Sequence, residues 1–368
     1  MNTHTANKGR KPSIHIVLEQ RSLTCTITSE ISSFLSSGPG VSLIVLAVFA
    51  CSCMKDVGNV KTEVLGGTEP TIISMKGIDG NDAGQIEKAC IFSFSADSLG
   101  RLESYQRLGR VDNEDIFVYS TSGRKRIVVC CNLEMDEDQI MKISTMEDLE
   151  RFACMLEDVR RAAPIMIGSI ETDAGKGERL TMTLKPMTST IILRSICSSF
   201  KGTSYEGESI TDAKVYLTNV NAQCNISQSP QTAKRFINMG MLNMDDVSGF
   251  LEPDIIVQDM KSDICEVKME CGISLICFHN HCKDESPGSP FTRLVVEGRI
   301  QGKTYYWPLT VNRTEGGRGI GNNTRHVFDL TIRRKGCDDP DSELLIEDSE
   351  TIMEVLEWEE KDAYSVVF

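Results

Sequence analysis

No stretch of this 368-residue chain is apolar for long enough to cross a bilayer as a helix. The longest such run, VSLIVLAVFA at residues 41–50, has ten residues, whereas a span needs about 20. Despite 14 cysteines, CxxC does not occur, so zinc-ribbon and thioredoxin-type spacings are missing. Lysine and arginine are scattered rather than clustered, and the formal net charge is −14. That balance argues against nucleic acid as a partner, because phosphate binding needs a basic face; the acidity reads as solubility. Signatures of zinc proteases, serine hydrolases and kinases (HExxH, GxSxG, the kinase set) are also missing. Nothing speaks positively for catalysis, and there is neither an internal repeat nor a low-complexity tract.

What is present describes an ordinary globular chain: 40% hydrophobic and 25% charged residues, with length enough for two cores. Cys90, Cys130, Cys131 and Cys277 lie inside apolar runs, where a thiol behaves as a small hydrophobe. Cys265 and Cys271 can meet across neighbouring strands, but no pairing is legible.

The 41–50 run fits a secretory apolar region of about 7 to 15 residues. Small residues and cysteines follow it (Ala50, Cys51, Ser52, Cys53), then Met54, Lys55 and Asp56. This resembles a bacterial lipoprotein signal, whose cysteine is acylated and becomes the mature N-terminus. Cys53 is the favoured position and Cys51 the alternative; several acyl chains of the palmitate kind would anchor the protein stably, where one would not. The nearest upstream basic residue is Arg21, across a Ser/Gly-rich spacer. A buried strand or short helix is the competing reading.

Residues 57–70, rich in Gly, Thr and charge, read as a tether, and beyond them short strands dominate. Residues 69–78 hold one, and 88–95 alternate with Cys90, Phe92 and Phe94 on one face. Residues 115–121 and 124–131 read as a hairpin turning at Ser122-Gly123. Ser144 and Glu147 are spaced as a capping box, opening a helix that Pro164 ends, with a core-facing stripe of Met146, Leu149, Phe152, Leu156 and Val159. Residues 180–196 contain two strands broken at Pro186, 213–220 another, and 264–279 two joined near Gly272. Residues 293–311 form the clearest hairpin, turning at Gln301-Gly302-Lys303 with Tyr305 and Trp307 on one face; 326–334 follow. Tyr364, Val366 and Phe368 alternate at the close. Such strands predict β-sandwiches with a boundary within 185–200.

CFHNHC (residues 277–282) is the best metal candidate. Extended, however, it sends Cys277, His279 and His281 to one face and Cys282 to the other, and four ligands so close rarely complete a tetrahedron. EGGRGIGNN (residues 315–323) has the glycines of a phosphate cradle, but such loops join a strand to a helix. Here strands flank it, so it reads as a hairpin loop.

The order of the pieces resembles the fimbrillins, lipoprotein-derived type V pilin subunits of gut and oral anaerobes, and their associated anchor proteins. CIFSFSADSLGRL, RIVVCCNL, STMEDLERF, APIMIGSIE, LTMTLKPMTSTIILRSI and KVYLTNV come first. TRLVVEGRIQGKTYYWPLTV, NNTRHVFDLTIRRKGCDDPDSE and WEEKDAYSVVF follow, so the likeness covers nearly all of residues 41–368. It implies a mainly β chain: a lipoprotein signal (1–53), a tether (54–70), and two tandem transthyretin-like (Greek-key) β-sandwich domains (71–190 and 191–368), with one short helix in the first. It also implies no enzymatic activity, no cofactor and no metal. The family's subunits reach the outer surface, held at the outer membrane by the lipid, and an arginine-specific protease removes the first strand of the polymerising pilins. A partner subunit's donor strand then fills the groove by β-augmentation. Tyr364, Val366 and Phe368 are the possible donor strand; equally, they can complete their own sandwich. One departure matters: residues 77–88 contain no arginine, and the nearest are Arg101, Arg107 and Arg110. Cleavage there removes two strands, which implies a minor or anchor subunit that keeps its first strand. The alternative is a lipid-anchored binding module for a host or bacterial surface ligand such as a glycan. A metal-dependent surface enzyme rests only on CFHNHC.

Overall fold

The strand Ala89–Ser95 is buried along its first six residues, a pattern that arises when both faces of a sheet are covered. In the computed structural model, which describes residues 69–76, 86–111, 115–227, 235–312 and 319–342 and the pairings of Glu354–Glu357 and Val366–Val367, this strand lies inside a five-stranded antiparallel sheet. The order is Leu102–Leu108, Ala89–Ser95, Gly123–Cys131, Met166–Ala174, Lys185–Pro186. Cys90, Phe92 and Phe94 join one apolar cluster; Ala89 and Ile91 join another on the opposite face. Over the second cluster lies a three-stranded mixed sheet, Ile116–Val118, Thr71–Lys76, Arg179–Thr183. The two sheets approach so closely at Gly168 that a Cβ there would stand 2.9 Å from the Thr183 carbonyl oxygen, backbone that cannot move aside as a side chain can.

The hairpin expected at Ser122-Gly123 does not form. Ile116–Val118 pairs with Thr71–Lys76, and Gly123–Cys131 pairs with Ala89–Ser95 and Met166–Ala174. Alternation correctly identified both strands, but a period of two says which face is buried and not which strand lies alongside.

The long helix expected from Ser144 is also interrupted. Helix covers Glu137–Met141 and Met146–Glu150, and the second is capped by Thr145 with Asp148, not Ser144 with Glu147. Ala153–Met155 then becomes a strand paired with Gln223–Asn225, and Leu156–Asp158 is a 3-10 turn. Backbone partners far along the chain outcompete local helix propensity here. The stripe still faces inward: Leu149, Leu156 and Val159 are fully buried, and Met146 and Phe152 pack against the same cluster.

Ser189–Ser198 lies between Met269–Cys277, antiparallel, and Thr324–Ile332, parallel. A second sheet runs Val257–Asp259, Thr211–Thr218, Arg293–Ile300, Lys303–Thr310, and buried side chains of both sheets share the larger cluster. The two strands expected near Gly272 are one strand. Its register skips opposite Leu193 and Ser195, and Gly272 takes the left-handed φ of +56° that a bulge glycine supplies. The Gln301-Gly302 turn forms as expected, with φ of +52° and +82° matching a two-residue primed turn; Tyr305 and Trp307 are buried. The architecture is mainly β, with antiparallel and mixed sheets packed as in a β-sandwich and a short helical region.

Candidate functional site

The strand Thr71–Lys76 alternates inward and outward: Thr71 and Ile73 are buried, Ile72 and Ser74 half-buried. It occupies the middle of its sheet, opposing Thr71 to Val118 and Ile73 to Ile116 on one side and Ile72–Lys76 to Arg179–Thr183 on the other. At its two ends the Ile72 amide donates to the Glu178 carbonyl and the Leu184 amide to the Lys76 carbonyl, each at 2.8 Å. On the outer face the Ser74 hydroxyl and the Arg179 guanidinium both donate to Asp115; the Ser74 bond first, and Arg179 with it, hold that carboxyl below the ordinary range. Beneath Ile73, on the facing sheet, lie Ile91, Ile127 and Val129. Withdrawing the strand would open a slot with two unpaired edges over an apolar floor, a surface that invites another strand.

At the other end of the chain, Glu354–Glu357 pairs antiparallel with Thr324–Val327, and Val366–Val367 pairs parallel with Leu330–Thr331. The closing strands thus lie on their own sheet. Its opposite edge, Met269–Cys277, is blunted at Ser274, whose carbonyl accepts from Arg161 Nη1 at 2.7 Å and Gln258 Nε2 at 3.0 Å. Cys51, Cys53, Tyr364 and Phe368 lie outside the described residues, as does the side chain of Val366.

The described end of the glycine-rich stretch, residues 319–323, meets the CFHNHC segment; residues 315–318 lie outside the described residues. Asn280 and Ile320 exchange amide-to-carbonyl bonds at 3.0 and 2.8 Å, and a Cβ at Gly319 would stand 2.4 Å from the Asn280 carbonyl oxygen. Asn312 donates to the carbonyls of Asn280 and Cys282 at 2.9 and 3.1 Å. Gly319 and Ile320 therefore close over CFHNHC as turn scaffolding. Cys277 and His279 are buried, and among the described residues no three His, Cys, Asp or Glu side chains are placed to hold a metal ion.

His279 Nδ1 stands 3.5 Å from Cys224 Sγ. Burial pushes that thiol up to about 12 and, with His281 adding to it, pulls the imidazole down to about 4. The folded pair is a thiol and a neutral imidazole, not the ion pair of an activated nucleophile. Burial likewise lowers His326 to about 4. A histidine with a folded pKa below its unfolded value of about 6.5 takes up protons more readily when unfolded. Stability is therefore expected to be full above about pH 6.5 and to drain toward pH 4, by roughly 1–2 kcal/mol per histidine at pH 5. Urea midpoints across that window measure the loss, and His326→Gln should flatten the slope.

No family model matches the chain, and no curated protein matches it. Solved structures do. A candidate cell adhesion protein from Parabacteroides distasonis superposes with a TM-score of 0.57 at 13% identity, over 81% of this chain and 99% of that one. For a candidate cell adhesion protein from Bacteroides eggerthii the values are 0.55 and 14%, over 80% and 96%. For a fimbrilin from Porphyromonas gingivalis they are 0.55 and 13%, over 82% and 97%. At such identities the likeness is one of fold, and it extends over nearly the whole of each solved chain. Among the described residues no helix is long and apolar enough to cross a membrane.

Proposed function

We propose that this chain is a fimbrillin-type structural subunit of a surface fimbrium, in the position of a minor or anchor subunit, without enzymatic activity. On this reading residues 1–53 are the lipoprotein signal, Cys53 carries the lipid that holds the protein at the outer membrane, and 54–70 form the tether. Residues 71–190 and 191–368 are two transthyretin-like Greek-key sandwiches, and the partners are other fimbrillin subunits met by strand exchange.

The observation that carries the reading is the placement of Thr71–Lys76 between two neighbours over an apolar floor. A strand so placed is one whose exchange for a partner's strand restores the same pairing. Arginine-directed cleavage, however, would first occur at Arg101 and would take Ala89–Ser95 as well. That strand pairs on both sides and is buried along six of its seven residues, so its loss would dismantle the five-stranded sheet. This supports retention of the first strand, and with it the lipid. Exchange then runs through the closing segment that carries Tyr364, Val366 and Phe368, where a partner's groove competes with Thr324–Ile332 for the strand Val366–Val367.

Mass spectrometry of the N-terminus of protein taken from native cell surfaces tests this. An acylated peptide beginning at Cys53 is expected. A free N-terminus after Lys88 or Arg101 would instead make the chain a polymerising subunit, and an intact Met1 would remove the lipoprotein argument.

A further inference from the structure

Two pairs of cysteines stand directly opposite one another across antiparallel strands: Cys90 faces Cys130, and Cys154 faces Cys224. All four are buried free thiols. Directly opposed residues project to the same side, with Cα atoms about 4.5–5.5 Å apart, within the about 4.4–6.8 Å that a disulfide spans.

The surroundings separate the pairs. Cys90 and Cys130 sit on two inner strands of a five-stranded sheet, each flanked by a further strand, so the pleat is fixed on both sides. Cys154 and Cys224 belong to a two-stranded ribbon of three residues each, and such ribbons twist more than larger sheets. The Leu156 amide donates to the Ala222 carbonyl at 2.9 Å and the Ile226 amide to the Phe152 carbonyl at 3.0 Å. Alternation along the ribbon places Cys154 and Cys224 in the hydrogen-bonded, wider-spaced rank. A bridge there is strained, hence reducible, and the ribbon's freedom to twist is what lets it form.

We propose that Cys154 and Cys224 form a reversible disulfide that staples the segment after the short helices to the segment after Thr211–Thr218. The oxidant is a protein or small-molecule disulfide. Once the ribbon opens, Cys224 loses its proton to solvent and attacks one sulfur of that disulfide, forming a mixed disulfide and releasing one thiol of the oxidant. Cys154, losing its proton, then attacks Cys224 Sγ; the S–S bond closes and the second thiol leaves. Two electrons and two protons pass from the cysteine pair to the oxidant. Because both thiols are enclosed in the finished fold, exchange runs while the ribbon is open, during folding or local unfolding. The bridge closes a long loop, the case in which a cross-link restricts the unfolded chain most.

The test is to refold the full chain in a mixture of oxidised and reduced glutathione, alkylate free thiols, digest without reduction and map peptides by mass spectrometry. A cross-linked peptide joining Cys154 to Cys224 is expected, lighter by two hydrogens than its parts, with Cys90 and Cys130 alkylated. Dithiothreitol should abolish it, and the oxidised form should melt roughly 5 °C higher than the reduced form. Cys224→Ser should erase that difference while leaving the reduced-form melting temperature close to that of the parent. Alkylation of both Cys154 and Cys224 after oxidative refolding, or pairing of either with another cysteine, overturns the proposal.

Discussion

Replacing Ile73 with aspartate is expected to cost about 5 kcal/mol and to leave the first strand undocked. Ile73 has no exposed surface and packs in the cluster shared by the two sheets of the first half. Removing its side chain from that cluster forfeits about 2–3 kcal/mol of apolar burial. A carboxylate in its place must either be buried without a partner or take up a proton, and each adds several kcal/mol. Ile72→Asp is the control, because Ile72 is half-buried on the outer face opposite Phe117, where a carboxylate keeps its water; less than about 1.5 kcal/mol is expected. Urea unfolding of the two variants, with hydrogen exchange of the 71–76 amides, makes the comparison. Equal costs would mean that the strand does not present Ile73 to the core.

Asp329→Ala is expected to cost roughly 3–5 kcal/mol. Asp329 is 4% exposed and accepts from Arg194 through both oxygens, with the Nε bond at 3.0 Å, and from the Ser195 hydroxyl. Arg194 sits at the irregularity between Leu193 and Ser195 where Ser189–Ser198 changes register against Thr324–Ile332, so the carboxylate pins the parallel pairing where it is interrupted. Burial alone would raise its pKa, but the hydrogen bonds from Arg194 and Ser195 and the charges of Arg194 and Lys268 outweigh it and hold the carboxyl below its ordinary value. The stabilisation is present above the unfolded carboxylate value, near pH 4, and is lost as pH falls through the lower folded value. The urea-measured gap between parent and variant should therefore be widest near neutrality and close in strong acid. A double-mutant cycle with Arg194→Met measures how much of the loss runs through that ion pair.

Alternation made much of the fold legible. Residues 88–95 and the Gln301-Gly302 hairpin appear as read, because a period of two and a turn needing positive φ are local properties. Partnership is not local. The fragment Ile116–Val118 looks like half of a hairpin and instead crosses to the other sheet. Within the single stretch read as two strands, Arg179–Thr183, Lys185–Pro186 and Ser189–Ser198 enter three different sheets. The apolar stripe from Met146 to Val159 has helical spacing, yet a turn of helix, a strand and a 3-10 turn deliver the same residues to the core. For the candidate site, the first strand was legible as a strand, but its flanking neighbours were not. The opposition of Cys154 to Cys224 depends on register between segments far apart in sequence, and no local pattern records it.

The mixed pairing of the first strand carries a consequence for the order of folding. Thr71–Lys76 obtains its longer, parallel neighbour from about a hundred residues further along the chain, and Ser189–Ser198 waits as long again for Thr324–Ile332. Each contact closes a large loop before it returns any energy, which makes such pairings slow to form. During synthesis from the N-terminus, the first strand can find only the three-residue partner Ile116–Val118 until residues 179–183 have emerged. The floor beneath Ile73 thus stays only partly roofed until residues 179–183 have emerged, and in that interval it can be claimed by another chain's strand.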